Sequence, residues 1–426
     1  MWLRMIMHLI ELQRNQWLKP SELVKIQQKR LRAVIQHAYS NVEFYHRKFK
    51  IANVKPDDIK TVQDLPKIPV TIKSEVRNAF RAKTIVDRKT DLSKCHLGRT
   101  SGSSGEPLTV VYDEKAEDFQ KAVAVRSYLE AGGRFHDKWA MISSTQRMHR
   151  KKRWFQMFGF LSPTWLSLFD PPEHHIKVLR RLKPDVLEGY FSSIWLIARK
   201  MQENGITDIR PRVLIGSAEA LTDKARKFID STFGVEIYDQ FGCVEVGRSA
   251  WECEEHNGWH MDMDALAMEF VKDNEQVASG EEGRLLYTSL YNYAMPLIRY
   301  DVGDLCIPTD EMCPCGRGLP LIKHIEGRTD NFVTTPDGRV VSPIIWTILM
   351  RAIPGIAHYR IVQESKSELT VQLVKDNDFS SKTVSQIKNA IKKALGDVQI
   401  KIELMEELPR DKTGKLRSVI SKVKVK

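Results

Sequence analysis

No stretch of about 18 consecutive apolar residues occurs in this sequence, which excludes a membrane-spanning helix as its organising element. Cysteine is scarce as well. Six in a chain of 426 residues cannot make a disulfide scaffold, so the fold rests on buried apolar surface and points to a reducing, cytoplasmic setting. There is no internal repeat and no long low-complexity segment. The phosphate-loop pattern G-x-x-x-x-G-K-[ST] is missing too, although residues 96–112, HLGRTSGSSGEPLTVVY, come near it. Gly105 is followed by Glu106 and Pro107, and the segment runs into apolar Leu108 to Tyr112 rather than opening a helix. Nor is there an excess of acid: 66 Lys and Arg face 54 Asp and Glu, a net charge of +12. That sign permits attraction to phosphorylated ligands, nucleic acid or anionic lipid and selects none of them. Much of the excess lies at the chain ends and in Arg147 to Arg153 (RMHRKKR), which reads as a solvated basic face. No nucleic-acid-binding signature accompanies it.

What is present is the composition of a soluble globular protein, 42% hydrophobic and 28% charged, long enough for about two or three domains. The opening MWLRMIMHLIELQRNQW reads as an amphipathic helix: Arg4, His8 and Glu11 interrupt its apolar run, and no small-residue cleavage site follows. Residues 21–49 keep helical spacing with a break at Asn41. From KWAMISS (138–144) through RPRVLIGSAEAL and KARKFIDSTFG to VEIYDQFG, strands and helices alternate, the pattern of a mostly parallel sheet. After about residue 265 the segments AMEFV, GRLLYTSL and MPLIRYDVGDLCI predict an antiparallel β region. Beyond IEGRTDNFV the pattern restarts as a small α+β unit, with a helix around 343–352 and another in SSKTVSQIKNAIKKALG. The expected class is therefore α/β. A boundary near Gly327 separates a large N-terminal domain, 1–327, from a small mobile C-terminal domain, 328–426.

Two groups of residues carry chemistry. In the loop Ser101, Gly102, Ser103, Ser104 and Gly105, hydroxyls and free N–H groups can form a concave anion site, and glycines let the backbone approach a ligand. The same loop composition also suits an ordinary hairpin. In WECEEHNGWH and DEMCPCGRGLP, Cys253-x-x-His256 and Cys313-Pro-Cys315 are spaced to supply four ligands to one structural Zn²⁺, with His260 competing for the place of His256. Two unrelated surface turns with free thiols are the plainer alternative.

In order, the chain offers Thr100 to Gly105, Gly216-Ser217-Ala218-Glu219, Tyr238 to Glu245 (YDQFGCVE), Arg299 to Asp304 (RYDVGD), Gly327-Arg328-Thr329-Asp330 and Leu408 to Arg417 (LPRDKTGKLR). That ordered set resembles the adenylate-forming superfamily of acyl-CoA synthetases and adenylation domains. The segment LRAVIQHAYSNVEFY, the TSGSSGEP loop and the Cys/His turns are similar to its phenylacetate-CoA ligase-like branch, which includes CapK.

The resemblance implies ATP-dependent activation of a small, aromatic carboxylic acid as an acyl adenylate, followed by transfer to coenzyme A. A carrier-protein thiol or an amine is the alternative acceptor. A non-catalytic nucleotide-binding or zinc-stabilised interaction protein is a reading of another class. It further implies that the Ser101 to Gly105 loop holds the leaving pyrophosphate and that Glu245 binds Mg²⁺. Gly216, Ser217, Ala218 and Glu219 line the adenine, and Phe241 stands beside it within Asp239-Gln240-Phe241-Gly242. Asp304 binds the ribose and Arg328 lies near ribose and phosphate. Asp330 is the hinge, and Lys415 reaches the charge that develops during adenylation. Phe241 and Val244 depart from the tyrosine and the Ser or Thr more common in the family, which puts one hydroxyl contact to ATP in doubt. Tyr190, Phe191 and Trp195 are candidate walls for the acid, with core packing the favoured role. The identity of the acid, the acceptor and the oligomeric state are not legible in the residues.

Overall fold

The computed structural model describes residues 2–100, 108–143, 154–219, 221, 223–328, 333–337, 340–341, 346, 349–350, 352–409 and 417–423. The N-terminal helices are α1 (Trp2–Asn15), α2 (Pro20–Asn41), α3 (Glu43–Ile51) and α4 (Lys73–Arg81). A hairpin of β1 (His96–Arg99) and β2 (Thr109–Tyr112) then leads to α5 (Glu114–Glu130). The alternating segment gives β3 (Trp139–Ser143), β4 (Thr164–Ser167), α6 (Pro172–Leu182), β5 (Val186–Tyr190), α7 (Phe191–Glu203), β6 (Val213–Ser217) and α8 (Asp223–Phe233). A run of strands follows: β7 (Ile237–Cys243), β8 (Gly247–Trp251), β9 (Trp259–Met261), β10 (Leu266–Lys272), β11 (Glu275–Gln276), β12 (Gly283–Ser289), β13 (Tyr300–Thr309) and β14 (Leu321–Arg328). The C-terminal lobe holds β15 (Val333–Thr334), β16 (Val340–Val341), β17 (Ile356–Ser365), β18 (Glu368–Lys375), α9 (Ser381–Leu395), β19 (Gln399–Met405) and β20 (Val419–Ser421). No described helix is long and apolar enough to cross a membrane. Two compact units form, one of residues 1–133 with 238–325, the other of 134–237 with 326–426.

In the first unit the strands run in the order β11-β10-β12-β13-β14-β9-β8-β7, and the β10–β12, β12–β13, β8–β9 and β7–β8 pairs are antiparallel. The amphipathic reading of α1 holds: Met5, Leu9 and Leu12 are buried, while Leu3, Met7 and Ile10 face out. α5 starts where the Asp113 carboxylate accepts the Ala116 N–H at 2.7 Å, an N-cap. Its Arg126, fully buried, donates to the Leu12 carbonyl (3.1 Å), to Asp262 (2.6 Å) and to Asp264 (2.8 and 3.0 Å). Asn15 reaches the same Asp264 at 3.2 Å, and Gln27 of α2 donates to the Met263 carbonyl at 3.0 Å. A charged group this deep survives only when its partners surround it, so these bonds lock the N-terminal helices to the strand region.

The second unit carries the parallel order β6-β5-β3-β4. β5 reads as a continuous buried run, as a strand covered on both faces must. α6, α7 and α8 bury Leu179, Ile194, Ile197, Ile229 and Phe233 against it. In the C-terminal lobe β17 and β18 pair antiparallel, with β20 and β19 added in parallel at the two edges. The face of α9 carrying Ile387, Ile391 and Leu395 closes that core, and Gly396, at φ 86°, ends the helix. The α/β class, the large sheet region and the smaller C-terminal lobe agree with the sequence.

Candidate active site and metal-binding turns

Within the first unit the YDQFGCVE segment forms β7 and the turn into β8, and Glu245 sits on that turn, 2% exposed. Three tyrosines fix it. The Tyr112 hydroxyl lies 2.8 Å from the carbonyls of both Val244 and Glu245, and Tyr291 donates to the Val246 carbonyl at 2.7 Å. Tyr300 donates to the Glu245 carboxylate at 3.1 Å. The Lys73 ammonium stands 3.9 Å from the same oxygen, a cation that sequence reasoning missed. Its placement comes from far along the chain. Thr71 bridges to Tyr300 as an isolated strand contact, its N–H donating to the Arg299 carbonyl at 2.9 Å. Arg299, buried and at φ 47°, donates to the Ile68 carbonyl at 2.6 Å and pairs with Glu269. No spacing in the sequence singles Lys73 out from the other cations.

Around this turn Asp239 and Gln240 are buried, Phe241 is half-buried and Gly242 is exposed. The Asp239 N–H donates to Glu252 at 2.8 Å, and the Gln240 amide donates to the Ser127 carbonyl at 3.0 Å. Asp304 lies on β13, 6% exposed. Within the second unit Gly216 and Ser217 end β6, and Ala218 follows at φ 72°. Glu219 accepts the Ser192 N–H at 2.9 Å, tying this end of the strand to the start of α7. A Cβ on Gly216 would stand 1.9 Å from the Phe191 ring, so the backbone can run here only without one. Phe191 is therefore core. Trp195 is also buried, and its edge partner is His358.

Ser101, Gly102, Ser103, Ser104, Gly105, Asp330, Lys415 and Arg147 to Arg153 lie outside the described residues, and so does the side chain of Arg328. The stems of the 101–107 segment are described. Thr100 N–H donates to the Leu108 carbonyl at 2.9 Å, and Leu108 N–H donates to the Thr100 hydroxyl at 2.8 Å, continuing the β1–β2 ladder. The hydroxyl-rich segment thus joins two strands, which is the physical difference from a phosphate loop opening a helix.

The metal turns differ from expectation at one residue. Cys253, Cys313, Cys315 and His260 bring their ligand atoms within 4.8 Å of one another. The Cys253 and Cys313 sulfurs are 3.6 Å apart, and the Cys315 sulfur is 3.4 Å from His260 Nε2. Ligands at zinc bond lengths on a tetrahedron would stand about 3.8 Å (S to S) and about 3.5 Å (S to N) apart, so the donor set fits. His256, expected as the fourth ligand, is left-handed at φ 46° and places Nδ1 3.2 Å from Glu252, its ring against Tyr238. The correction has a register cause: β9 pairs His260 with Trp251 on β8 and with Leu321 on β14, which carries it to the cysteines. Burial, assisted by the Arg317 charge, pushes the His260 imidazole down to about 4, so at neutral pH it is in the ligating neutral form. Burial pushes the Cys253 and Cys313 thiols up, the expected state of close sulfurs without a cation among them.

Comparison with known proteins bears on this geometry. Residues 333–422 match the model of the CapK C-terminal domain. The phenylacetate-coenzyme A ligase of Thermus thermophilus is 26% identical over 94% of this chain and 96% of its own length. That of Escherichia coli is 29% identical over 73% of this chain and 72% of its own. Protein CapK of Staphylococcus aureus is 24% identical over 95% and 90%. Among solved structures, 2-hydroxyisobutyryl-CoA ligase in its postadenylation state with R3-HIB-AMP superposes with a TM-score of 0.78, at 22% identity over 96% of this chain and 91% of that one. Anthranilate CoA ligase with anthranoyl-AMP gives 0.56, at 16% identity over 94% and 79%. Over nearly its full length this chain is therefore similar in sequence to a phenylacetate-coenzyme A ligase and to CapK, and it shares the fold of the CoA ligases just named.

Proposed function

We propose that the protein is an AMP-producing, adenylate-forming ligase: it joins a small aromatic carboxylic acid to the α-phosphate of ATP, releases pyrophosphate, and passes the acyl group to coenzyme A. The observation that carries this reading is Glu245, a carboxylate held almost without exposure on a tyrosine-pinned turn beside Lys73, in the YDQFGCVE motif whose glutamate the sequence resemblance matches to a Mg²⁺ ligand. A buried, hard oxygen donor with no salt-bridge partner closer than 3.9 Å among the described residues suits Mg²⁺, which when bound offsets phosphate charge. In the same reading Asp304 accepts both ribose hydroxyls, Phe241 stacks on adenine, and Asp239, Gln240, Gly242 and Gly216 to Glu219 shape the base site. The hydroxyls and N–H groups of Ser101 to Gly105 hold pyrophosphate, and Arg328 lies by the ribose and phosphate. Domains 1–327 and 328–426 divide the labour, with the smaller bringing Lys415. Lys415 supplies a compact cation to charge that develops only in the transition state. Zn²⁺ held by Cys253, His260, Cys313 and Cys315 is structural, since four protein ligands close the shell.

The test is pyrophosphate release on mixing the protein with ATP, Mg²⁺ and single carboxylic acids, with thioester followed by mass after addition of coenzyme A. An aryl acid should give both products. Pyrophosphate and AMP with amide as the only acyl product would replace the acceptor, and no pyrophosphate with any acid would refute the reading. Lys415→Ala should slow adenylate formation roughly 100-fold or more while ATP binding persists, measured by single-turnover quench and calorimetry.

A further inference from the structure

α1 has two apolar faces, and the core uses one of them. Met5, Leu9 and Leu12 are buried, and Arg4 ties the helix to α5 by donating to the Asp118 carboxylate at 2.8 Å. The opposite face carries Leu3, Met7, Ile10 and Arg14 at helical spacing, and Trp17 continues the row just past the end of the helix. Leu3 is 72% exposed, Met7 62%, Ile10 64% and Trp17 54%. A surface helix ordinarily turns polar residues outward, so four large apolar side chains in one row form a patch that calls for a partner. Arg317 lies over the Trp17 ring at 4.7 Å, which fixes the indole where it projects.

Charge says what the partner is. α2 lies alongside α1, joined where Arg30 meets the Glu11 carboxylate at 2.7 Å. That pair links the flanks of the two helices and leaves both outer rows turned away from the core. The buried side of α2 is Leu23, Gln27, Leu31 and Val34; its outer side is the basic row Lys25, Lys29 and Arg32, all exposed. Over residues 1–36, seven Lys and Arg stand against two acids, Glu11 and Glu22. Both acids are engaged, Glu11 with Arg30 and Glu22 in accepting the Lys19 N–H at 3.2 Å. The face is therefore apolar along α1 and positive along α2.

Three kinds of partner are open to such a face. A second copy of the chain would press one positive face onto another, since a two-fold interface pairs a patch with itself. A nucleic acid would answer the charge and leave Leu3, Met7 and Ile10 wet. An anionic lipid surface answers both. Its phosphates meet the Lys and Arg row, the boundary between headgroups and acyl chains takes the apolar row, and Trp17 sits at the depth an indole prefers.

We propose that the outer face of α1, flanked by the basic row of α2, docks the protein on anionic phospholipid as a peripheral, reversible attachment. Each helix keeps its buried face on the rest of the first unit, so docking asks for no rearrangement. A short apolar row and a basic row are two weak signals acting together, which makes the attachment salt-sensitive. This docking does not rest on the ligase reading, because none of these residues belongs to the proposed site.

The test is co-sedimentation of the full chain with sucrose-loaded vesicles, of phosphatidylcholine alone or with about a third phosphatidylglycerol. The protein should pellet with the anionic vesicles at low salt, be released at about 0.5 M salt, and stay in solution with phosphatidylcholine alone. Leu3→Gln/Met7→Gln/Ile10→Gln and, separately, Lys25→Gln/Lys29→Gln/Arg32→Gln should each weaken binding about tenfold or more, with melting temperatures unchanged, as exposed positions allow. A readout that needs no variant is oxidation by hydrogen peroxide mapped by mass: anionic vesicles should slow oxidation of Met7 about threefold or more and leave Met157, 77% exposed, unaffected. No pelleting with anionic vesicles, pelleting that both triple variants keep, or equal oxidation of Met7 with and without vesicles would overturn the proposal. A dimer in sedimentation equilibrium that the Leu3/Met7/Ile10 variant dissolves would overturn it in favour of a second copy.

Discussion

Gly216 and Glu245 show what a single residue does in this molecule. The ordered motifs single both out in the sequence, because each is defined by its neighbours in the chain. Lys73 was not readable, since it reaches Glu245 only through the bridge between Thr71 and Tyr300, more than 200 residues apart. The Gly216 position carries its own prediction. Adding a methyl there forces Cβ into the Phe191 ring, which is 3% exposed and has no space to yield, so Gly216→Ala should lose about 1–3 kcal/mol of stability. Urea denaturation followed by fluorescence measures it; an unchanged midpoint would mean that Phe191 has another rotamer within reach.

At the scale of elements, what the sequence concealed was register. Cys-x-x-His spacing puts His256 and Cys253 in one turn, but spacing does not say which way a side chain leaves that turn. Strand pairing of β9 decides for His260. Hence His260→Ala should abolish stoichiometric zinc in protein purified without chelator, and His256→Ala should retain it, by elemental analysis. A second element-level prediction concerns the Arg126 cluster, in which two buried carboxylates share one guanidinium. Burial pushes the Asp262 carboxyl up to about 6, with Arg126 pulling it down and Asp264 adding to the rise. A carboxyl raised above its unfolded value of 3.8 contributes stability at pH below that value, and the contribution is lost as pH climbs through about 6. Asp262→Asn abolishes this titration, so its stability relative to wild type should rise between pH 4 and pH 7 by on the order of 2 kcal/mol, seen as a rising relative melting temperature. The reverse drift in thermal melts would show that Arg126 keeps Asp262 ionised.

For the whole molecule, alternation of strand and helix foretold the parallel part, and the change to consecutive strands foretold the antiparallel one. The grouping of chain segments 134–237 and 326–426 into one compact unit had no local signal, because it depends on contacts such as Trp195 with His358 that sequence periodicity does not encode. If the division at residue 327 reflects separable function, the fragment 1–327 should bind ATP in calorimetry yet form no adenylate in the pyrophosphate assay. A fragment that forms adenylate would remove Lys415 from the first step.

The bonds that fasten the N-terminal helices also set an order of events during synthesis. Asn15 waits for Asp264, Gln27 for the Met263 carbonyl, and the Gly318 N–H, which donates to the Gln16 carbonyl at 2.8 Å, arrives later still. At about 5–20 residues per second, α1 and α2 leave the ribosome some 15–60 s before their final partners do. Until α5 emerges, Met5, Leu9 and Leu12 lack the helix that α1 packs on, which marks α1 as a segment a chaperone would hold on the nascent chain.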